Sequence, residues 1–334
     1  MKQLLLVLLV AITLPIFAQE KANANNYSPK IDGTIRGKYE YNTSLDGHRF
    51  QVRNARFSVR GAVSPYAYYK AEIDLSDEGV TKMLDAYVEM RPNEHLSFTI
   101  GQQKVPFSSD NLRSPHQLYF ANRSFIGKQL TGLRDVGATL KYSLSHHIPL
   151  DLIVGVYNGK GLYNQKEWRT DLSYAFRGVY SVTDNLELSL NYNTIKPYNL
   201  RMDMYNAGAT WLIGNLHLES EFFYKTYQDG LFQDTQGFFC FASYIIPTPK
   251  VSYLDNISPR IRYDMMTDDN NGIINTESQS YLVDDRARSR ITGGFTFTFK
   301  EPFINEIRLN YEHYMYANAV NEDNKLVIEF VAKF

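Results

Sequence analysis

The chain has 334 residues, with 35 Lys/Arg against 36 Asp/Glu, and so offers no basic excess for nucleic-acid binding. Its single cysteine, Cys240, excludes an intramolecular disulfide and sits among Phe238, Phe239 and Phe241 as a small apolar packer. Aromatics are abundant (25 Tyr, 20 Phe), yet no segment after the N-terminus reaches about 18 continuous apolar residues. Membrane-spanning helices are therefore excluded, whereas a barrel with one apolar strand face is not.

In chain order, the first element is a secretory signal. Lys2, the apolar run Leu4 to Leu14 and Ile16-Phe17-Ala18 predict cleavage after Ala18, and the run is too short to cross a bilayer as a helix. Cleavage leaves 34 Lys/Arg against 36 acids, a net of −2. Residues 19–30 are polar and read as a short periplasmic leader. No later domain boundary is visible, so residues 31–334 form one domain.

Sixteen strands are predicted, at 31–41, 49–63, 66–75, 82–91, 96–103, 135–144, 150–157, 168–182, 186–195, 203–213, 216–226, 236–246, 256–266, 286–300, 303–314 and 325–334. Most alternate apolar and polar residues with period two. In the eighth, Trp168, Leu172, Tyr174, Phe176, Tyr180 and Val182 oppose Arg169, Asp171, Ser173 and Arg177. Connectors alternate as well. Those at 64–65, 92–95, 145–149, 183–185, 214–215 and 301–302 are short. Those at 104–134, 158–167, 227–235 and 267–285 are longer and polar, while 247–255 is long for its place. Short turns at one end and long loops at the other, with a last strand ending on Phe334, point to an all-β transmembrane antiparallel barrel. The expected location is the outer membrane of a Gram-negative bacterium.

With apolar faces toward lipid, the other face lines the lumen. It carries Arg56, Arg60, Lys70, Glu72, Asp74, Asp85, Glu89, Arg91, Arg169, Asp171, Arg177, Arg260, Arg262, Asp264, Arg288, Arg290 and Lys300. Unpaired charge in a dry core costs several kcal/mol per ion, so water is expected to fill the interior as a channel. Arg56, Arg60, Lys70, Arg260, Arg262, Arg288 and Arg290 are the expected pore-lining cations. Both signs mix along this wall, and it does not set selectivity by itself.

The segment Lys104–Arg134 does. It holds Lys104, Arg113, Arg123, Lys128 and Arg134 against one acid, Asp110, and is too long for an ordinary connection. Leu118, Tyr119, Phe120, Phe125 and Ile126 are spaced to dock it on a wall. The expectation is a third external loop that folds into the barrel and binds anions through those five cations.

Other chemistry is sparse. His146-His147 has no third ligand at a useful spacing. Asp268-Asp269-Asn270-Asn271-Gly272 could offer oxygens to Ca²⁺, but lacks the distal glutamate of an EF-hand and reads as a solvated external loop. Asp284-Asp285 beside Arg286 and Arg288 reads as local ion pairing. No G-x-S-x-G nucleophile motif occurs, so no catalytic residue, metal or cofactor is expected. A structural or adhesive barrel without transport, and a barrel lipid hydrolase, are the rival readings.

The run GQQKVPFS at Gly101 to Ser108, then SPHQLYFANRSFI at Ser114 to Ile126, then RDVGATLKY at Arg134 to Tyr142, resembles the phosphate-selective porin O and P family. So do Arg53-Asn54-Ala55-Arg56 with Phe57-Ser58-Val59, and LDAYVEMRP at Leu84 to Pro92. The resemblance covers roughly residues 30–334 and is sharpest from 49 to 142. It implies a sixteen-stranded outer-membrane porin, commonly trimeric, with passive diffusion of small anions such as phosphate. It also implies contact with lipopolysaccharide and presentation of the final strand, ending at Phe334, to the barrel assembly machinery. Lys104, Arg113, Arg123 and Lys128 match the positions that feed the family's constriction.

Overall fold

The computed structural model describes residues 27–131, 134–144, 148–162, 165–198, 200–272, 281–302, 304–316 and 324–334. The expected signal, most of the leader and the His146-His147 pair lie outside the described residues.

Sixteen antiparallel strands form one sheet: β1 (Lys30–Asn42), β2 (Gly47–Ser64), β3 (Ala67–Asp77), β4 (Val80–Met90), β5 (Leu96–Lys104), β6 (Arg134–Ser143), β7 (Leu150–Tyr157), β8 (Ser173–Thr183), β9 (Leu186–Ile195), β10 (Met202–Ile213), β11 (Leu216–Tyr227), β12 (Thr235–Tyr244), β13 (Leu254–Met266), β14 (Arg288–Phe299), β15 (Ile304–Tyr316) and β16 (Lys325–Lys333). Every strand pairs with its chain neighbours, and β1 pairs with β16 from Thr34↔Lys333 to Asn42↔Lys325. Gly33 N donates to Phe334 O at 2.8 Å and Phe334 N to Gly33 O at 3.0 Å, extending that seam by one residue. The sheet is thus closed and has no edge.

Three departures from the expected strands have local causes. β8 begins at Ser173 rather than 168, because its partner β7 ends at the pair Tyr157↔Ser173. Arg169 and Asp171 therefore leave the wall; Arg169 sits by Glu167, and Asp171 accepts from Lys196 at 3.0 Å. The long connector at 247–255 shortens because Ile246–Pro247 continues the β12 ladder onto Ile257 and Asn256. Finally, the turns at 43–46 and 78–79 are tight, so long connectors at that end start with the segment after β5.

One residue pattern runs through the wall. On β1, Ile31 and Ile35 face outward and are exposed on the protein surface, whereas Thr34, Arg36, Lys38 and Glu40 face inward and are buried. Cys240 points outward with Phe238, while Phe239 and Phe241 point inward. The apolar core is built from such inward exceptions. Ala175, Met204, Phe223, Phe239, Phe241, Met266 and Tyr314 pack with Val105, Phe107, Phe120, Phe125, Ile126 and Leu130 of the segment after β5. Each large side chain buried this way contributes about 1.5–3 kcal/mol.

Candidate functional site: a cationic chamber and the segment that shapes it

The segment from Val105 to Thr131 is organised around Asp110. Ser108 caps a one-turn helix, Ser109–Leu112, by accepting from Asn111 N at 3.3 Å. The Asp110 carboxylate accepts from Ser124 N at 3.0 Å and from Ser124 Oγ at 2.7 Å, joining the two arms of the segment. Asp110 N donates to Glu221 Oε1 on β11 at 2.9 Å. Gly127 lies against this carboxylate, where an added Cβ would stand 2.2 Å from Asp110 Oδ2.

The wall then grips the backbone of the segment. Arg36 donates to Ala121 O at 2.6 Å, Arg262 to Asn122 O at 2.9 Å and Arg290 to Arg123 O at 2.7 Å. Arg308 donates to His116 O at 3.1 Å, and Arg260 donates to Tyr119 O. Most of these guanidiniums also hold a wall carboxylate: Arg36 and Arg308 share Glu329, and Arg262 and Arg290 share Asp264. A buried guanidinium needs several acceptors for its five donors, and a carboxylate plus a carbonyl meets that need. Ala121 N closes the contact by donating to Asn310 Oδ1 at 2.8 Å.

The five cations of the segment take different places. Lys104 Nζ donates to the carbonyls of Asn111, Leu112 and Arg113, each at 2.9 Å. Arg113 makes a bidentate contact with Glu219, and that pairing holds its guanidinium above the ordinary range against the opposing effect of burial. Arg123 donates to Asp110 O and to Arg113 O. Burial lowers it to about 10, with Asp110 opposing and Arg36, Arg56 and Arg113 adding to the effect, so it stays charged at neutral pH. Arg134 is held by Asp85 at 2.8 Å. Lys128 is exposed, and while its backbone N–H donates to Ser124 O at 3.0 Å, its ammonium has no hydrogen-bond or ion-pair partner among the described residues.

Two cavities lie along this arrangement. The outer one, about 350 Å³, is lined by Arg36, Lys38, Arg49, Arg53, Arg56, Arg123, Lys128, Arg288, Arg290 and Lys325, against only Glu40 and Glu78. That imbalance gives it a positive surface, since the matching carboxylates stand behind the guanidiniums. The inner one, about 650 Å³, is more mixed: Lys30, Arg56, Arg60, Lys70, Arg91 and Lys333 face Asp32, Glu72 and Glu89. Arg56 and Pro115 line both cavities and mark the neck between them. His116, at the neck, is lowered to about 4 by burial and by the nearby Lys333 and Arg308.

Of the wall cations expected at a pore, Arg56, Arg60 and Lys70 line the inner cavity, and Arg288 and Arg290 the outer. Arg260 and Arg262 hold the segment and line neither. Sequence reasoning missed Arg36, Lys38, Arg49, Arg53, Arg308 and Lys325. The alternation of Arg36, Lys38 and Glu40 against Ile35, Tyr39 and Tyr41 carried the signal on β1. Arg53 was harder to place. The β1–β2 register skips it, pairing Arg36 with Asn54 and Gly37 with Val52. This bulge lets the consecutive residues Arg53 and Asn54 both line the outer cavity. The clustered oxygens at 268–272 are engaged locally: Lys225 pairs with Asp269, and Ala287 N donates to Asp268 Oδ1 at 2.7 Å. Asp285 pairs with Arg288, as expected.

Comparison with known proteins fits this architecture. Residues 30–184 match the family model described as phosphate-selective porin O and P. Among solved structures, an anion-selective porin from Comamonas acidovorans aligns with a TM-score of 0.65 at 12% identity, covering 92% of this chain and 98% of that one. Salmonella typhi OmpF aligns at 0.61 and 12% identity, covering 92% and 97%. Pseudomonas aeruginosa OprD aligns at 0.53 and 12% identity, covering 94% and 96%. No curated protein matches by sequence. Residues 30–184 thus carry the sequence pattern of the phosphate-selective porin O and P family, within a closed sixteen-strand barrel of porin fold.

Proposed function

We propose that this chain is an outer-membrane porin of a Gram-negative bacterium that passes small solutes by passive diffusion and prefers anions. The observation that carries the reading is the outer cavity, with ten Lys/Arg on its surface against two acids. Between low-dielectric walls such a surface raises the local concentration of anions. In this reading the segment 105–131 is the constriction, and an anion entering over Lys128 and Arg123 gives up part of its water shell at the neck beside Arg56. Lys104, Arg113 and Arg134 act from behind, by fixing the shape of the segment. Phosphate is one candidate solute, because guanidiniums offer it bidentate hydrogen bonds.

The same reading includes removal of residues 1–18, assembly as a homotrimer, contact with lipopolysaccharide and delivery of the strand ending at Phe334 to the assembly machinery. It involves neither cofactor nor catalysis. Bilayer conductance under a KCl gradient tests it. The expected reversal potential is that of an anion-preferring pore, weakening as salt screens the exposed charges. A cation-preferring potential would refute the selectivity. Absence of current would leave an adhesive barrel, or, if lipid is hydrolysed, an enzyme. Block of chloride current by phosphate would separate a phosphate site from a general anion filter.

A further inference from the structure

A third cavity, about 260 Å³, neighbours the outer one, and Gln129 lines both. Its floor is Val105, Leu130, Tyr157 and Met204, all members of the apolar cluster that seats the segment on the wall. None of its lining residues reaches the inner cavity. A solute in this side chamber lies against packed hydrocarbon, apart from the inner cavity among the described residues.

Its polar groups say what kind of molecule. Asn193 on β9 is fully buried and lines the chamber, and neither its Oδ1 nor its Nδ2 has a hydrogen-bond partner among the described residues. A buried amide left so is costly, and it presents one acceptor and one donor side by side. The cations nearby are already paired, and the one carboxylate is held by backbone N–H groups. Asp135 accepts from Val136 N and Gly159 N, Lys225 pairs with Asp269, and Lys160 lies by Glu167. An anion entering would find no free cation, whereas hydroxyl groups would find the amide and, as a further acceptor, the Asp135 carboxylate. Tyr157, Met202 and Met204 add apolar wall, Thr131 and Ser173 add hydroxyls, and Tyr198 stands at the rim, 57% exposed. Apolar walls with a few placed polar groups are the usual form of a small-molecule site.

We propose that this side chamber binds one uncharged, hydroxylated solute of monosaccharide size. Adjacent hydroxyls exchange one donated and one accepted hydrogen bond with Asn193, and the C–H face of the ring lies against tyrosine. Occupancy would place a neutral solute beside the anion path without entering it.

Saturation-transfer NMR on the full, detergent-solubilised protein with D-glucose tests this, and reads binding without reference to conductance. Transfer to glucose is expected, with at least fivefold weaker binding in Asn193→Leu. Should that variant fail to fold, Tyr198→Ala at the exposed rim is expected to weaken binding at least threefold. No transfer in the wild-type protein would show a chamber that holds water only. Transfer unchanged in the folded variants would place the sugar elsewhere. Either result overturns the proposal.

Discussion

Asp110 and Ser124 are joined twice, through the hydroxyl at 2.7 Å and the backbone N–H at 3.0 Å, across a gap of fourteen residues in the chain. The two bonds close the segment after β5 into a clasp. Because the carboxylate is buried, each bond to it is worth about 1.5–3 kcal/mol. Asp110→Ala is expected to leave the barrel folded but to free the segment. Single-channel recordings should then show larger and noisier openings. Gly127→Ala should do the same from the other side, since its Cβ would stand 2.2 Å from Asp110 Oδ2.

Lys128 and Arg113 separate selectivity from stability. Lys128 is exposed, so Lys128→Glu should move the reversal potential toward cations while leaving thermal stability unchanged. Arg113→Ala strands Glu219, which is 4% exposed, at a cost of about 3–5 kcal/mol. That variant should gain protease sensitivity within residues 105–131. If Lys128→Glu left the potential unaltered, the outer cavity would not be the filter.

His116 supplies a pH dependence. Its folded-state value, about 4, lies below the ordinary 6.5, so the folded protein keeps it neutral where the unfolded chain would protonate it. Its contribution to stability is therefore complete above about 6.5 and declines as pH falls toward 4. Denaturation curves of the wild-type protein and His116→Gln should diverge across that window and run parallel above it.

Gly294 tests the closeness of β14 and β15. A Cβ there would stand 1.9 Å from the Leu309 carbonyl oxygen, a backbone atom that cannot swing aside, whereas at Gly293 nothing lies within 4 Å. Gly294→Ala is expected to lower the melting temperature of the barrel and Gly293→Ala to leave it unchanged. Equal melting of the two would show that the strands part without penalty.

Much of this barrel is legible in its sequence. Period-two alternation located the sixteen strands, because each needs one face for lipid and one for water. The rule failed where inward residues are apolar. Phe223, Phe239 and Met204 break the polar face, and they do so to receive Phe107, Phe125 and Ile126, a long-range pairing that periodicity cannot express. The bulge at Arg53 was hidden for a related reason: a one-residue slip changes which side chains share a face without changing the composition of the strand. The loop cations were visible as charges, yet Lys104 and Arg123 meet carbonyl oxygens, and every residue in the chain carries one of those.

That last point bears on how such a pore could be altered. Five wall arginines seat the segment through the carbonyls of residues 116, 119, 121, 122 and 123. A main-chain carbonyl survives any substitution. The mooring is therefore written in the wall, and the side chains at those rungs are open to exchange. A redesigned filter could be grafted residue by residue onto the same berth, with the guanidiniums that hold it left untouched.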